Sequence, residues 1–401
     1  MLEEEYVTIK LELGTAFLRR DSLERLSRVD AMIFDCDGVL IDARKSYLAA
    51  IKETVNYIFS LMTGLRIEER FLDELIYILK KGGGFNNDWA VSYAISLLAL
   101  TVMPEEAKEE FMKIADSEPF KAANRPLDRV RLFGGISKRI GEKDLKISEE
   151  ASKGLTELVE RASSSGFGFF EKNLFSNDSI LSDLKFLCSG KKFLSYPGMV
   201  GESPLITIFE EKFLGCKLFG EVYKIGCVFH EGSGLIEREE IMIKREILQR
   251  ISSLIGRANY GIASGRPFFA SRYTLRSLLN EFKPEARVFL EDIDRAERDA
   301  KQKGEMVDLS KPNPYSLLKC AKGLMPFDYV LYLGDSMEDA IMVDLANKVE
   351  RRYLFGGIYD CAIMKDRQIQ DFLEKGADLI LPSVRGLPLV LECIKEGRTL
   401  A

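Results

Sequence analysis

Ala31-Met32-Ile33-Phe34-Asp35-Cys36-Asp37-Gly38-Val39-Leu40-Ile41-Asp42 is the stretch on which the reading of the whole chain turns. An apolar run breaks into two aspartates one residue apart and then a glycine. That is the pattern of a buried strand ending in a cleft, where it delivers Asp35 and Asp37. Burying two acids side by side costs several kcal/mol unless a cation, a bound proton or a catalytic duty compensates. With no His or thiolate pattern beside them, an oxygen-only pair suits a hard ion such as Mg2+. A plain strand followed by an Asp/Gly turn accounts for the same letters, so this segment alone leaves both readings open.

The rest of the chain narrows the choice. Its 401 residues exceed one ordinary core, so two or three domains are expected. A net charge of -6 without a dense Lys/Arg block argues against a nucleic-acid surface. The seven cysteines are scattered and odd in number, and the opening residues do not read as a targeting peptide. Both points lead to the expectation of a reducing, cytoplasmic setting. The longest apolar run, Tyr93 to Met103, is too short for a bilayer, so no membrane partner is expected. His230 is the only histidine, which removes His-based triads and poly-His metal sites and leaves acid and base work to carboxylates, Lys, Tyr or Cys.

Along the chain, Val7, Ile9, Leu11 and Leu13 alternate with polar residues as in a half-buried strand, and Asp21 can cap a short helix carrying Leu23, Leu26 and Val29. Together these read as an N-terminal appendage. Helical spacing follows over Tyr47 to Leu61, Glu69 to Lys81 and Trp89 to Leu100. The glycine-rich loop at 82–89 that separates the last two holds the only tryptophan. Its Asn86, Asn87 and Trp89 either cap the next helix or face a substrate. Residues 104–228 are the least legible, with helical patterns at Glu105 to Ala115 and Ser148 to Ala162 and an aromatic loop at 163–170. From Gly234 the pattern becomes regular: a helix over Glu237 to Ile255, then strands at Ala258 to Ala263, Arg287 to Leu290, Tyr329 to Leu333, Arg352 to Phe355 and Asp378 to Leu381. Apolar strands alternating with helices predict an α/β fold, a Rossmann-like parallel sheet covered on both faces.

In such sheets ligands sit beyond the carboxyl ends of the strands. Asp35, Ser264 and Asp335 lie at such ends, and Lys311 lies in a segment reaching the same edge. Singly, a helix cap, a surface lysine and a favourable helix start explain them. Jointly, Asp35-x-Asp37-Gly38-Val39, Ser264, Lys311 and Gly334-Asp335-x-x-x-Asp339, in that order, resemble the four motifs of the haloacid dehalogenase (HAD) superfamily. Ile41-Asp42, Ser46-Tyr47, the loop around Trp89 and Ser264-Gly265-Arg266-Pro267 look like an archaeal and bacterial subgroup of subfamily IA. The resemblance covers about residues 31–100 and 232–385.

That resemblance implies a core of 1–43 plus 233–401 and an inserted, mainly helical cap of 44–232, larger than the family's compact caps. It implies Asp35 as nucleophile and Asp37 as the acid that protonates the leaving alcohol and then activates water. Mg2+ would be held by Asp35, the backbone carbonyl of Asp37 and Asp335. Asp339 would support that shell through water or by orienting Lys311. Ser264 with Gly265 and Arg266 would bind the phosphoryl group, Lys311 would neutralise charge, and Asn86, Asn87 and Trp89 are further substrate-binding candidates. Arg44 and Lys45 are weighed as cap residues facing Asp35 or as a solvated helix start. Cys36 points away from the cleft by strand alternation. The expected activity is a phosphomonoesterase acting on a small phosphorylated metabolite. A phosphomutase or phosphotransferase, and a non-catalytic phosphometabolite-binding scaffold, stay open, as does a homo-oligomer.

Overall fold

The computed structural model describes residues 5–81, 85, 87–123, 125–134, 143–145, 153, 156–157, 159–160, 170–172 and 184–396. The chain packs into two compact units, Met1–Arg44 with Glu239–Ala401, and Lys45–Arg238. The second crossing therefore comes after Arg238, later than the boundary near residue 232 expected from the sequence.

Among the described residues twelve strands appear in chain order: β1 (Tyr6–Leu11), β2 (Gly14–Arg19), β3 (Val29–Phe34), β4 (Ile41–Asp42), β5 (Leu65–Ile67), β6 (Lys143–Leu145), β7 (Glu240–Ile241), β8 (Tyr260–Ala263), β9 (Arg287–Val288), β10 (Tyr329–Gly334), β11 (Tyr353–Ile358) and β12 (Leu379–Leu381). In the first unit, eight of them form one sheet in the order β1-β2-β12-β11-β10-β3-β8-β9. Every pairing from β12 to β9 is parallel. The apolar runs make this possible, because a parallel sheet buries both faces and tolerates no polar face. Met32 and Phe34 pack to one side with Leu331, Leu333, Leu354 and the helices Arg245–Ile255 and Leu387–Glu396. Ala31 and Ile33 pack to the other with Val330, Tyr332 and the helices Tyr315–Leu324 and Met337–Val349. The α/β class and Rossmann-like core expected from the sequence are the ones observed.

Three local expectations are corrected. The N-terminal segment is no appendage: β1 and β2 form an antiparallel hairpin that continues the sheet, β2 pairing with β12. Val29 begins β3 instead of ending the short helix, which stops at Ser27. The helix expected from Glu237 starts only at Arg245, because Glu240–Ile241 pairs as β7 with β4 into a two-stranded ribbon. The charge-rich stretch that follows β9 forms the helix Leu290–Gln302, whose buried anchor is Ile293.

The second unit is mainly helical among its described residues, with helices at Ala49–Thr63, Glu69–Lys81, Asp88–Thr101, Glu105–Ala115, Leu184–Leu194 and Pro204–Tyr223 and one short parallel pair, β5 and β6. The helix expected at Ser148 to Ala162 and the aromatic loop at 163–170 fall largely outside the described residues. No described helix is long and apolar enough to cross a membrane.

Leu18 on β2 is fully buried in the sheet's core. Leu18→Ala is expected to cost about 2–5 kcal/mol in urea unfolding, as a core truncation does. A hairpin merely resting on the surface would give a loss near zero.

Candidate active site

The site begins where β3 stops. The amide of Asp35 donates to the Leu333 carbonyl at 2.9 Å, carrying the β3–β10 ladder one residue past the strand. The next residues turn sharply: the Cys36 carbonyl accepts from Leu40 and Ile41 at 2.8 Å each, and Gly38 donates to Ile41 at 2.8 Å. Gly38 has φ +73°, and a Cβ there would lie 1.9 Å from Oδ2 of Asp335. Both the backbone conformation and the close carboxylate therefore demand glycine. Cys36 points into the core, as alternation requires.

Lys311 reaches this edge from the loop before the helix Tyr315–Leu324. Its Nζ lies 2.8 Å from Oδ2 of Asp35 and 2.7 Å from Oδ1 of Asp339. It also donates to the Tyr332 hydroxyl at 2.8 Å, and that hydroxyl donates to the same Oδ1 of Asp339 at 2.9 Å. Burial opposes the ammonium, but Asp339 and Asp35 outweigh it and hold its pKa well above the usual value. Burial raises the Asp35 carboxyl, opposed by Lys311 and by a hydrogen bond from Ser264. Tyr332 was legible only as a strand residue, though a phenol amid the apolar run Val330 to Leu333 is the signal that flags it.

Asp339 is committed on both oxygens. Oδ2 accepts from Ser336 Oγ at 2.8 Å and from the amides of Ser336 and Asp335 at 3.1 and 3.2 Å, closing a capping box at the helix start. Of the two roles open to Asp339, the geometry is that of orienting Lys311. One carboxylate oxygen from each of Asp35, Asp335 and Asp339 lies within 4.8 Å of the others. Ser264 is buried at the end of β8, and its own amide is used by the Val288 carbonyl at 3.0 Å. Gly265 beside it is exposed, with open space where a side chain would be.

Asp37 lies outside that carboxylate cluster. Its Oδ1 accepts from Nη1 of Arg266 at 2.6 Å. Burial pushes its pKa up to about 6 against the pull of Arg266. Arg266, expected to bind substrate, does not present its guanidinium to solvent: the side chain is 0% exposed and engages Asp37 and Glu239. Glu239 was missed altogether, hidden in a segment read as helix.

In the second unit, Asn87 is the N-cap of Asp88–Thr101, its side chain accepting from the Trp89 amide at 2.8 Å. The Trp89 indole donates to Glu210 at 3.0 Å. Asn86 lies outside the described residues. Arg44 is held by Asp42 through Nη2 at 2.6 Å and by the Asp360 carbonyl at 3.2 Å, so it serves its own unit. Lys45 is exposed at the start of the second unit. The ring of His230 is half-buried, with Nε2 3.0 Å from the Ser233 carbonyl.

Two consequences are measurable. Lys311→Met in the presence of a chelator leaves Asp35 and Asp339 buried without their cation. Urea unfolding at pH 7 is expected to show a loss of about 3–5 kcal/mol. Glu210 is raised by burial from 4.5 to about 7, against hydrogen bonds from Tyr223 and Trp89. The folded state thus binds a proton more tightly than the unfolded chain, and that stabilisation is present below the unfolded value and lost as pH rises through the folded one. Wild-type stability should fall between those pH values more steeply than that of Glu210→Gln.

No protein-family model and no curated protein matches the chain. Among solved structures, phosphatase Tt82 from Thermococcus thioreducens aligns at 19% identity over 86% of this chain and 98% of its own, with a TM-score of 0.44. A Northeast Structural Genomics Consortium target solved by X-ray crystallography aligns at 17% identity over 92% of this chain and 100% of its own, with a TM-score of 0.57. The likeness to this second structure is one of fold, which the two chains share along most of their length.

Proposed function

We propose that the chain is a HAD-type, Mg2+-dependent phosphomonoester hydrolase of a small phosphorylated metabolite, working through an aspartyl-phosphate. The observation that carries this reading is the convergence of Asp35, Lys311, Asp335 and Asp339 at one sheet edge, with Ser264 bonded to the same Asp35. Three acids gather there, two of them paired with one ammonium, an excess of negative charge that calls for a cation. The donors are all oxygen, and a side chain at position 38 would strike Asp335. A hard divalent ion fits such a set. Asp35, the Asp37 carbonyl and Asp335 would hold it, and when bound it supplies the charge neutralisation that lets an anion approach a phosphate.

The chain's own residues account for the remaining chemistry. A carboxylate oxygen of Asp35 attacks phosphorus, and the new Asp35–phosphorus bond forms as the ester oxygen leaves. Asp37 gives its proton to that oxygen, so an alcohol departs. The Asp37 carboxylate then takes a proton from water attacking the aspartyl-phosphate, which releases phosphate and regenerates Asp35. Lys311 and the Ser264 hydroxyl offset charge on the nucleophile and the phosphoryl oxygens. Tyr332 and Asp339 keep the Lys311 ammonium aimed at Asp35.

With p-nitrophenyl phosphate and a panel of phosphorylated metabolites in 18O-labelled water, Mg2+-dependent turnover placing label in phosphate is expected. Asp35→Asn should lower it by about 10³-fold or more, as loss of a nucleophile does. Undiminished turnover in that variant would reject the nucleophile, and unlabelled phosphoryl transfer would reject hydrolysis.

A further inference from the structure

The Arg266 side chain is entirely buried and bridges two carboxylates with its two amino groups. Nη1 donates to Asp37 Oδ1 at 2.6 Å, and Nη2 donates to Glu239 Oε2 at 2.6 Å. Nη2 also approaches the Ala270 carbonyl at 3.3 Å and Thr274 Oγ1 at 3.4 Å. Thr274 in turn donates to the same Oε2 of Glu239. Both Arg266 and Glu239 have side chains 0% exposed, whereas that of Asp37 is 32% exposed.

Stability does not explain this arrangement. A buried Arg–Glu pair is commonly neutral or unfavourable against apolar residues of the same volume, since desolvation consumes the Coulombic gain. Geometry does explain it. Asp37 stands two residues after Asp35, on the turn whose Gly38 passes against Asp335, yet its carboxylate lies outside the acidic cluster. The guanidinium draws Oδ1 away from that cluster, while Oδ2 has no protein hydrogen bond among the described residues. Glu239 and Thr274 fix the guanidinium plane from behind. A planar fork held at one end by one acid can hold the other acid in a single orientation, which an ammonium on a flexible stem cannot do.

We infer that Arg266 and Glu239 are positioning residues: their buried pair fixes one oxygen of Asp37 and aims the other at the leaving ester oxygen. This rests on the phosphatase reading, in which Asp37 protonates that oxygen as the phosphorus–oxygen bond breaks. Glu239 stands on the segment by which the chain returns from the inserted unit, at the residue before β7. The orientation of the acid is therefore set by two segments, the one after β8, which also carries Ser264, and the one before β7, which no strand-end motif includes.

The test is leaving-group dependence. Phenyl phosphate needs a proton on its departing oxygen far more than p-nitrophenyl phosphate, and kcat/KM reports steps up to the first irreversible one, formation of the aspartyl-phosphate. With Mg2+ present, Glu239→Gln is expected to lower kcat/KM for phenyl phosphate by about tenfold or more while p-nitrophenyl phosphate falls by about threefold or less. Asp37→Asn should show the same divergence more strongly. Should the single substitution leave Arg266 unpaired and the protein unfolded, Arg266→Met combined with Glu239→Leu removes both buried charges and must show the same divergence. Equal losses on the two esters, or no loss on either, in a folded variant would overturn the inference. A folded wild type that hydrolyses neither ester, nor any of the metabolite panel, would instead overturn the phosphatase reading on which it rests.

Discussion

A lysine ammonium shared between two carboxylates, at an edge where a third carboxylate also arrives, is the constraint to which the rest of the first unit conforms. Acids this close and this little solvated repel one another strongly, and only cations keep them ionised together. Lys311 supplies one such charge, and Tyr332 with Asp339 fixes where it stands. The cost of gathering these groups is distributed over the fold. Gly38 is needed because any side chain there would occupy the space of Asp335, and Gly334 because a Cβ would lie 2.5 Å from the Asp339 carboxylate.

The sheet topology makes the gathering possible. β3 is central, with β8 to one side and β10 to the other, so the chain's progression across the sheet reverses beside it. At such a reversal the loops after adjacent strands diverge and open a crevice at their carboxyl ends. Asp35 and Asp335 leave neighbouring strands at that point, held in register by the ladder between Phe34 and Leu333. The first turn of the helix Met337–Val349 then brings Asp339 back under Lys311, its capping box serving both the helix and the ammonium. A cap that would otherwise be worth only its own hydrogen bonds thereby becomes part of the charge balance.

Much of this was legible from residues alone. Period and polarity located β3, β8 and β10 within one or two positions, because a strand buried on both faces admits few polar residues. The helices Glu69–Lys81 and Glu105–Ala115 were legible to their ends, since their apolar stripes are bounded by glycine, proline or charge. The failures have equally physical causes. β2 carries too short an alternation to be told from a loop, and its pairing with β12 joins residues more than 350 positions apart. Glu240–Ile241 becomes strand because β4 offers a partner, which no local preference encodes.

What the sequence determined by itself was the class of the fold and the positions of Asp35, Ser264 and Asp335 at strand ends, because burial and periodicity are local properties of the chain. What only the tertiary structure decided was which of those groups face one another. Arg266 changed from an expected substrate ligand to the buried partner of Asp37, Asn87 became a helix cap, and Tyr332 and Glu239 entered a site in which spacing had no place for them. The reason is that a side chain's charge and shape are written at its own position, whereas the direction it faces and the partner it meets depend on segments far away in the chain.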